Sequence, residues 1–249
     1  MPARSDLPAI FRAPDDPDAR IWRYLDFPAY VWMLDRQRLF FPRADLLGDP
    51  FEGSASPVTR RLLAEQFTAA TGVTASPDSY AALSYIGEWQ RPWTYVSCWH
   101  VNTSESAAMW SLYGVAQRSI VVRSTHGRLV RCAPTEAYVG LVQYIDYDVT
   151  PIPPNNLLWP YIHKRLSFAH EHELRAVLPE YATDGQSNLG KPNPSDGFEA
   201  PVELDELVDA VFVAPGARKW FKDLVADVTK RYGLTGVVER SALDARPIY

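Results

Sequence analysis

Apolar positions follow two spacings along this chain, every second residue in some segments and every third or fourth in others. The first spacing predicts strands and the second predicts amphipathic helices. Because the two kinds of segment are mixed without strict alternation, the pattern predicts an α+β fold with a mixed or mainly antiparallel sheet and flanking helices. Strands are predicted at 21–24, 38–42, 93–99, 119–122, 138–147, 208–213 and 236–239, and helices from 27 to about 34 and at 57–71, 77–88, 105–113, 157–163 and 217–231.

The spacing of the large side chains also predicts which face each helix buries. A short helix crowded with apolar and aromatic residues needs burial to be stable, so we expect the helix at 105–113 to lie largely in the core. The residues predicted to point inward are Leu62, Leu63 and Phe67, then Met109, Trp110, Leu112 and Tyr113, and finally Trp220, Leu224 and Val228.

One short stretch, from Glu171 to Arg175, combines an apolar face with a charged face. If it forms a strand, Glu171, Glu173 and Arg175 share one side while Leu174 and Ala176 share the other. The apolar side is then a core face. The charged side is either a solvated ladder of ion pairs, each contributing little to stability, or the floor of an active site.

Length and composition place the chain among ordinary folded proteins. It has 249 residues, of which 47% are hydrophobic and 22% charged, enough for one large core. Residues 1–20 are rich in Pro, Asp and Arg and are expected to form an arm, with a single catalytic-like domain over 21–249. The net charge of -5 argues against a broad nucleic-acid-binding surface.

The cysteine content and the absence of long apolar runs indicate the compartment. Cys98 and Cys132 are the only cysteines, and a chain of this size folds without disulfides, so a reducing cytoplasm is expected. The first residues lack the apolar core of a signal peptide. No apolar run approaches the roughly 20 residues of a membrane helix, so we expect no membrane association.

Four motifs occur in the order found in one bacterial family. They lie at residues 22–24 (Trp-Arg-Tyr), 48–52 (Gly-Asp-Pro-Phe-Glu), 109–113 (Met-Trp-Ser-Leu-Tyr) and 164–175, which begins with a lysine and ends in Glu-His-Glu-Leu-Arg. The chain resembles the family known as domain of unknown function 2971, and the match spans most of its length. Gly48, Phe168 and His170 stand where that family usually has Asn, Trp and Tyr.

The layout is also similar to the ADP-ribosyltransferase fold. The likeness rests on Arg23 in the first strand, on a strand-helix-strand opening, and on the pair Glu171 and Glu173 entering a late strand. The resemblance implies an enzyme that uses NAD as co-substrate and transfers ADP-ribose to a protein or nucleic-acid acceptor. It also implies a role as a bacterial toxin or phage-defence effector.

The residue types suit that reaction. Cleavage of the nicotinamide glycosidic bond passes through an oxocarbenium-like state, which Glu173 would stabilise. Glu171 would orient or deprotonate the acceptor, and Arg23 would hold the pyrophosphate as a bidentate partner. The expected cofactor-binding residues are Arg23, Tyr24, Trp110, Tyr113 and Arg175, and no metal is expected.

Two other functions remain open on the sequence. A metal-dependent hydrolase or nuclease would use His170, His172, His163 and the nearby acids, although the spacing is not His-Glu-x-x-His and the histidine face continues into apolar positions, which indicates burial. A non-enzymatic binding module would leave the acids in a structural role. In that case Arg23 is a structural arginine, the aromatic residues of 109–113 belong to the core, and Asp49 and Glu52 brace their turn.

Overall fold

The computed structural model describes residues 10–74, 87–114, 116–188 and 190–248, and it confirms the predicted α+β class. The strands are β1 (Arg20–Asp26), β2 (Arg38–Pro42), β3 (Thr94–Val101), β4 (Ser119–Thr125), β5 (Tyr138–Leu141), β6 (Gln143–Ile145), β7 (His163–Arg165), β8 (Glu173–Pro179), β9 (Ala182–Thr183), β10 (Gln186–Ser187), β11 (Gly197–Pro201), β12 (Ala210–Val213) and β13 (Val237–Arg240). The α-helices are α1 (Phe27–Arg36), α2 (Pro57–Thr71), α3 (Ala107–Tyr113), α4 (His126–Cys132), α5 (Leu204–Leu207) and α6 (Lys219–Arg231).

The main sheet has seven strands in the order β13-β12-β4-β1-β3-β8-β5. Neighbours are antiparallel except β12 and β13, which are parallel. β1 pairs with β4 along its whole length, but with β3 only through Ile21 with Val101 and Trp22 with His100. From Arg23 onward β1 and β3 therefore separate. We call this point the fork, because it divides the sheet into two halves.

Side-chain caps fix the helices on either side of the fork. The Asp26 carboxylate accepts a hydrogen bond from the backbone N–H of Ala29 at 2.8 Å, so β1 passes directly into α1. Ser106 caps α3 in the same way by accepting from the N–H of Met109 at 3.3 Å. α3 ends at Gly114, as its sequence predicts.

The largest core cluster includes the β8 residues Leu174 and Ala176, as the alternating pattern predicts. The N-terminal arm is partly docked on a second cluster, since Ile10 and Phe11 are buried and Phe11 stacks on Tyr138 of the edge strand β5 at a ring distance of 5.2 Å. The arm therefore belongs to the fold from Ile10 onward.

The predicted inward face of α6 is wrong at two of its three positions, since Val228 packs against the core but Trp220 and Leu224 are exposed. Trp220 is 53% exposed and Leu224 is 39% exposed, whereas Phe221, Val225 and Thr229 are buried. Both sets have helical spacing, so periodicity alone does not choose between them. In the structure Phe221, Val225 and Thr229 face the core. Trp220 lies on the surface, with its ring 5.8 Å from that of Phe221.

Two other helices bury less than their patterns predict. In α2, Leu62 and Phe67 are exposed. In α3, Met109 and Trp110 are buried, but Leu112 is 57% and Tyr113 48% exposed. A helix of seven residues at the edge of a cavity presents its last turn to solvent, and so only half of the expected burial occurs.

The remaining differences between the predicted and the observed structure concern which segments are helices and which are strands. Residues 138–147 form two strands, β5 and β6, and residues 157–163 form a 3₁₀ helix (Trp159–Ile162) followed by β7. The polar segment after Pro179 carries the β9-β10 hairpin. The helix predicted at 77–88 falls almost wholly outside the described residues. No helix in the described ranges is long and apolar enough to cross a membrane.

Candidate functional site

A cavity of about 610 Å³ opens at the fork, within the usual size range of small-molecule sites. Four consecutive residues of β1 line it, although alternate residues of a strand point to opposite faces. They reach the same space because β1 has lost its neighbour β3 there. The lining also includes Gly48, Asp49, Glu52, Cys98, His100, Met109, Tyr113, Lys164, Phe168, Glu171, Glu173 and Arg175. We call this cavity the fork cleft.

The fork cleft gathers six of the seven residues that the sequence suggests for a site: Arg23, Tyr24, Tyr113, Glu171, Glu173 and Arg175. The seventh, Trp110, does not line it. Its ring is buried edge-on against Tyr24 at 5.1 Å, and its indole N–H donates to Glu105 at 2.9 Å. Trp110 therefore supports the wall of the cleft from behind.

Glu171 does not lie on the strand, contrary to the expected common strand face. It ends a 3₁₀ helix (Leu166–Glu171), and β8 begins only at Glu173. Between them His172 adopts a left-handed conformation with φ of 40°, which is uncommon for a residue other than glycine. The turn at His172 carries the chain from the 3₁₀ helix into β8.

Lys164 brings the two acids together. Its ammonium donates to Oε1 of Glu173 at 2.7 Å and also to Oε2 of Glu171. The other oxygen of Glu171 accepts from the hydroxyl of Tyr113 at 2.7 Å. All three charged side chains are buried, so a single buried cation is shared by two carboxylates.

Arg175 completes the cluster from the next position on that face of β8. Its guanidinium donates to both oxygens of Glu173, to both oxygens of Glu52 and to the carbonyl of Tyr161 at 2.7 Å. Its exposed fraction is 1%, against 4% for Glu171 and 6% for Glu173. The solvated-ladder interpretation of these residues is therefore wrong. The groups Glu52, Lys164, Glu171, Glu173 and Arg175 are called the charge cluster below.

The charge cluster separates the pKa values of its two neighbouring acids. Burial raises the pKa of Glu171, and the adjacent negative charge of Glu173 raises it further. Burial also acts to raise the pKa of Glu173, but Arg175 outweighs it and holds that pKa well below the usual range. Burial disfavours the charged form of Arg175, yet Glu173 and Glu52 raise its pKa overall. Such a split is typical of paired acids with different chemical roles.

Arg23 lies across the fork. One terminal nitrogen donates to the hydroxyl of Ser97 at 2.5 Å and the other to the carbonyl of Phe40 at 2.7 Å. Its guanidinium also lies 5.8 Å from the ring of Trp99. No carboxylate of the described residues forms an ion pair with it. Burial lowers the pKa of Arg23 to about 10, so it stays cationic at neutral pH.

His100 has a defined tautomer. Its Nδ1 lies 2.6 Å from the main-chain oxygen of Glu171, which can only accept, so Nδ1 carries the proton. Its Nε2 is buried and has no hydrogen-bond partner among the described residues. Burial lowers the pKa of His100, which keeps the ring neutral. Burial likewise raises the pKa of the neighbouring Cys98 thiol, so this thiol is not activated as a nucleophile.

The turn at 48–52 forms one wall of the cleft. Asp49 braces it by accepting from the N–H of Phe51 at 3.0 Å, and it pairs with Arg165 at 2.8 Å. Glu52 does not brace the turn, because its carboxylate is the partner of Arg175. A side chain at Gly48 would meet no atom within 4 Å, so this exposed position in the cleft lining has room for one.

Two of the three histidines near the charge cluster are exposed, although the sequence pattern predicts that they are buried. His170 and His172 are exposed, because the segment before Glu173 is helical and places no continuous strand face against the core. His163 is buried, and its Nδ1 bonds to the carbonyl of Trp159 at 2.8 Å. Among the residues that the structure describes, no group of three His, Cys, Asp or Glu side chains is placed to hold a metal ion.

The sequence links His100 only to the nearby Cys98, places Glu52 in its turn, and gives Lys164 only as part of a motif. Glu52 and Arg175 are 123 positions apart, so no local spacing connects them. The burial of the Lys164 ammonium between Glu171 and Glu173 also appears only in the folded chain.

Comparison with protein-family models, with curated proteins and with solved structures finds no significant match to this chain. The charges and contacts within the fork cleft therefore carry the functional argument.

Proposed function

We propose that the fork cleft binds NAD and that the protein transfers ADP-ribose to a macromolecular acceptor. The observation that carries the proposal is the separation of charge in one cavity. On one side Arg23 is a cation with no acidic partner among the described residues. On the other side the charge cluster has three carboxylates for two cations, a formal excess of one negative charge.

NAD has the complementary distribution. Its pyrophosphate is anionic, and its nicotinamide ring is cationic. A guanidinium has five N–H donors, and two acceptors of the protein engage Arg23, which leaves donors for a pyrophosphate. The excess negative charge lies where a positively charged ring and an oxocarbenium-like ribose would be stabilised.

The two acids have distinct roles in this proposal. Glu173 stays ionised and stabilises the positive charge on the ribose as the bond between C1′ and the nicotinamide nitrogen breaks. That bond's electron pair passes to the ring nitrogen, which becomes neutral. The acceptor then forms a new bond to C1′, and its proton passes to Glu171, whose raised pKa suits a general base.

Aromatic side chains supply a surface for the planar ring. Trp22 and Tyr24 line the cleft from β1, Phe168 lines it beside Lys164, and Tyr113 closes the side of α3. Tyr24 is fixed by accepting a hydrogen bond from the backbone N–H of Ser106 at 2.9 Å. A wall of this kind favours a flat heteroaromatic ligand.

Calorimetric titration with NAD, ADP-ribose and nicotinamide tests the binding step. NAD and ADP-ribose should bind to the same site, and Gly48→Trp should weaken the binding of both, because Gly48 lines the cleft and has room for a bulky side chain there. Leu46→Trp is the matched control, since Leu46 is 54% exposed and does not line the cleft. Equal NAD affinity in the wild type and in Gly48→Trp, or no binding by the wild type, would refute the proposal.

A further inference from the structure

Tyr113 covers the acid that an acceptor has to reach. The side chain of Glu171 is 5% exposed, so no group from solvent contacts its carboxylate while its present partners stay in place. Those partners are Lys164 and the hydroxyl of Tyr113. An approach to Glu171 therefore requires one of the two to move.

The two partners differ in how firmly they are held. Lys164 is buried and pairs with Glu173 as well as with Glu171, so its departure would separate two buried ion pairs. Tyr113 is 48% exposed, and its hydroxyl makes one hydrogen bond, to Glu171. Tyr113 is therefore the partner that moves more easily.

The helix that carries Tyr113 does not need to move with it. α3 is anchored at its first turn, where Ser106 caps it and Glu105 accepts from Trp110, from the hydroxyl of Ser241 and from the N–H of Ala242. Tyr113 is the last helical residue, at the opposite end. Rotation about its side-chain bonds would uncover Glu171 and leave the backbone of α3 in place.

We propose that Tyr113 determines whether water or the acceptor receives ADP-ribose, an inference that rests on the proposed function. In the closed arrangement its hydroxyl occupies Glu171 and keeps water from the general base. A docked acceptor displaces the ring and presents its own donor group to Glu171. We call the Tyr113 side chain over Glu171 the gate. When the gate is removed, water attacks C1′ and the electron pair of the glycosidic bond passes to nicotinamide. The proton of water passes to Glu171 and then to solvent.

The test compares Tyr113→Phe, Tyr113→Ala and the control Ser111→Ala, which alters an exposed residue of the same helix. NAD hydrolysis in the absence of an acceptor is followed by nicotinamide release. Both Tyr113 variants should hydrolyse NAD at least fivefold faster than the wild type, with Ala faster than Phe, while Ser111→Ala stays unchanged. A fall in hydrolysis in both variants would instead make Tyr113 a positioning residue and overturn the proposal.

A second readout is independent of NAD chemistry. Fluorine NMR of 3-fluorotyrosine placed at position 113 reports whether the ring exchanges between two environments, and the variant Glu171→Gln should shift the population towards the solvent-exposed one. A single fluorine signal for the ring at position 113 that does not change in Glu171→Gln would contradict the proposal that Tyr113 acts as a gate. If the wild type neither binds nor cleaves NAD but the ring still exchanges, the proposed function fails together with the choice between water and acceptor, while the movement of Tyr113 away from Glu171 stands.

Discussion

Arg23 and Arg175 both line the fork cleft, but Arg175 pairs with two carboxylates and Arg23 pairs with none in the described chain. The difference arises from the strands that carry them. Arg175 lies on β8, whose neighbours remain paired, and donates directly to both oxygens of Glu52. Arg23 lies where β1 leaves β3, and it bonds to a hydroxyl and a carbonyl. Arg175 is neutralised within the protein, whereas Arg23 keeps a positive charge that no carboxylate of the described residues pairs with.

Replacing Arg23 tests the anion site. Arg23→Met should weaken the binding of ADP-ribose and of NAD about 10- to 100-fold, because charge-assisted hydrogen bonds contribute roughly 1.5–3 kcal/mol. Calorimetric titration measures the change. Arg36→Met is the control, since Arg36 is exposed at the end of α1. Unchanged affinity in Arg23→Met would remove the pyrophosphate from this position.

The pair of Glu52 and Arg175 predicts a large effect on stability. Glu52→Gln leaves a buried guanidinium without one of its two carboxylates, which costs about 3–5 kcal/mol of unfolding free energy. For a chain of this size the Tm should fall by roughly 6–20 °C, measured by calorimetry. The exposed Glu65 of α2 supplies the control Glu65→Gln, with a change within about 0.5 kcal/mol. Equal Tm values would show that this pair does not stabilise the fold.

The pH dependence of activity should follow Glu171. Its pKa is raised, so it binds its proton at a pH where an ordinary glutamate, with a pKa of about 4.3, is already ionised. Transfer should therefore increase with pH through that raised pKa. Lys164→Met removes a hydrogen bond that lowers the pKa of Glu171 and should move the acidic limb of the pH–rate profile to higher pH. The exposed Lys191→Met should leave it unchanged, and an identical limb in Lys164→Met would contradict this role.

The same pKa shifts predict opposite effects on stability. The depressed pKa of Glu173 contributes stability that is present above its unfolded-state pKa and is lost as the pH falls through its folded-state pKa. The raised pKa of Glu171 contributes stability at low pH that is lost as the pH rises through its folded-state pKa. Denaturant unfolding of Glu171→Gln against the wild type should thus show a relative stabilisation of the variant that grows as the pH rises through that range. A difference that does not vary with pH would contradict the shift.

A matched pair in α6 tests which face of the helix is buried. Phe221→Ala should cost about 3–5 kcal/mol because its ring is 2% exposed and leaves a cavity. Trp220→Ala should cost less than about 1 kcal/mol because Trp220 is 53% exposed. Denaturant unfolding of both variants measures the difference, and a larger loss in Trp220→Ala would restore the sequence-based face.

Local sequence patterns predict the helices and strands better than they predict the contacts that these segments make. Strand β1 and the cap at Asp26 follow from alternation and from side-chain chemistry that act within a few residues. The burial face of α6 does not follow, because two sets of positions have the same helical spacing. The Glu-x-Glu spacing predicts a strand position for Glu171, and the left-handed turn at His172 that overrides it has no local signal in a residue other than glycine.

The same distinction holds for the candidate site, where the sequence predicts some of the residues but not the contacts between them. Glu171, Glu173, Arg23 and Arg175 were singled out by residue type and order, and all four line the fork cleft. The role of Glu52 depends on a contact between distant segments, and the role of His100 depends on a carbonyl that becomes its neighbour only in the folded chain. Such contacts are set by the register of the sheet and by the fork.

Release of nicotinamide from NAD by the wild type and by Glu173→Gln, with folding verified by circular dichroism and NAD affinity by calorimetry, tests the central claim most directly. Glu171→Gln serves as a second variant if Glu173→Gln does not fold. The wild type should turn NAD over, and the variant should lose at least about 100-fold of that activity, since Glu173 acts on the charge that develops in the transition state. Equal turnover by wild type and folded variant, or no turnover by a wild type saturated with NAD and supplied with acceptor proteins and nucleic acids, would contradict it.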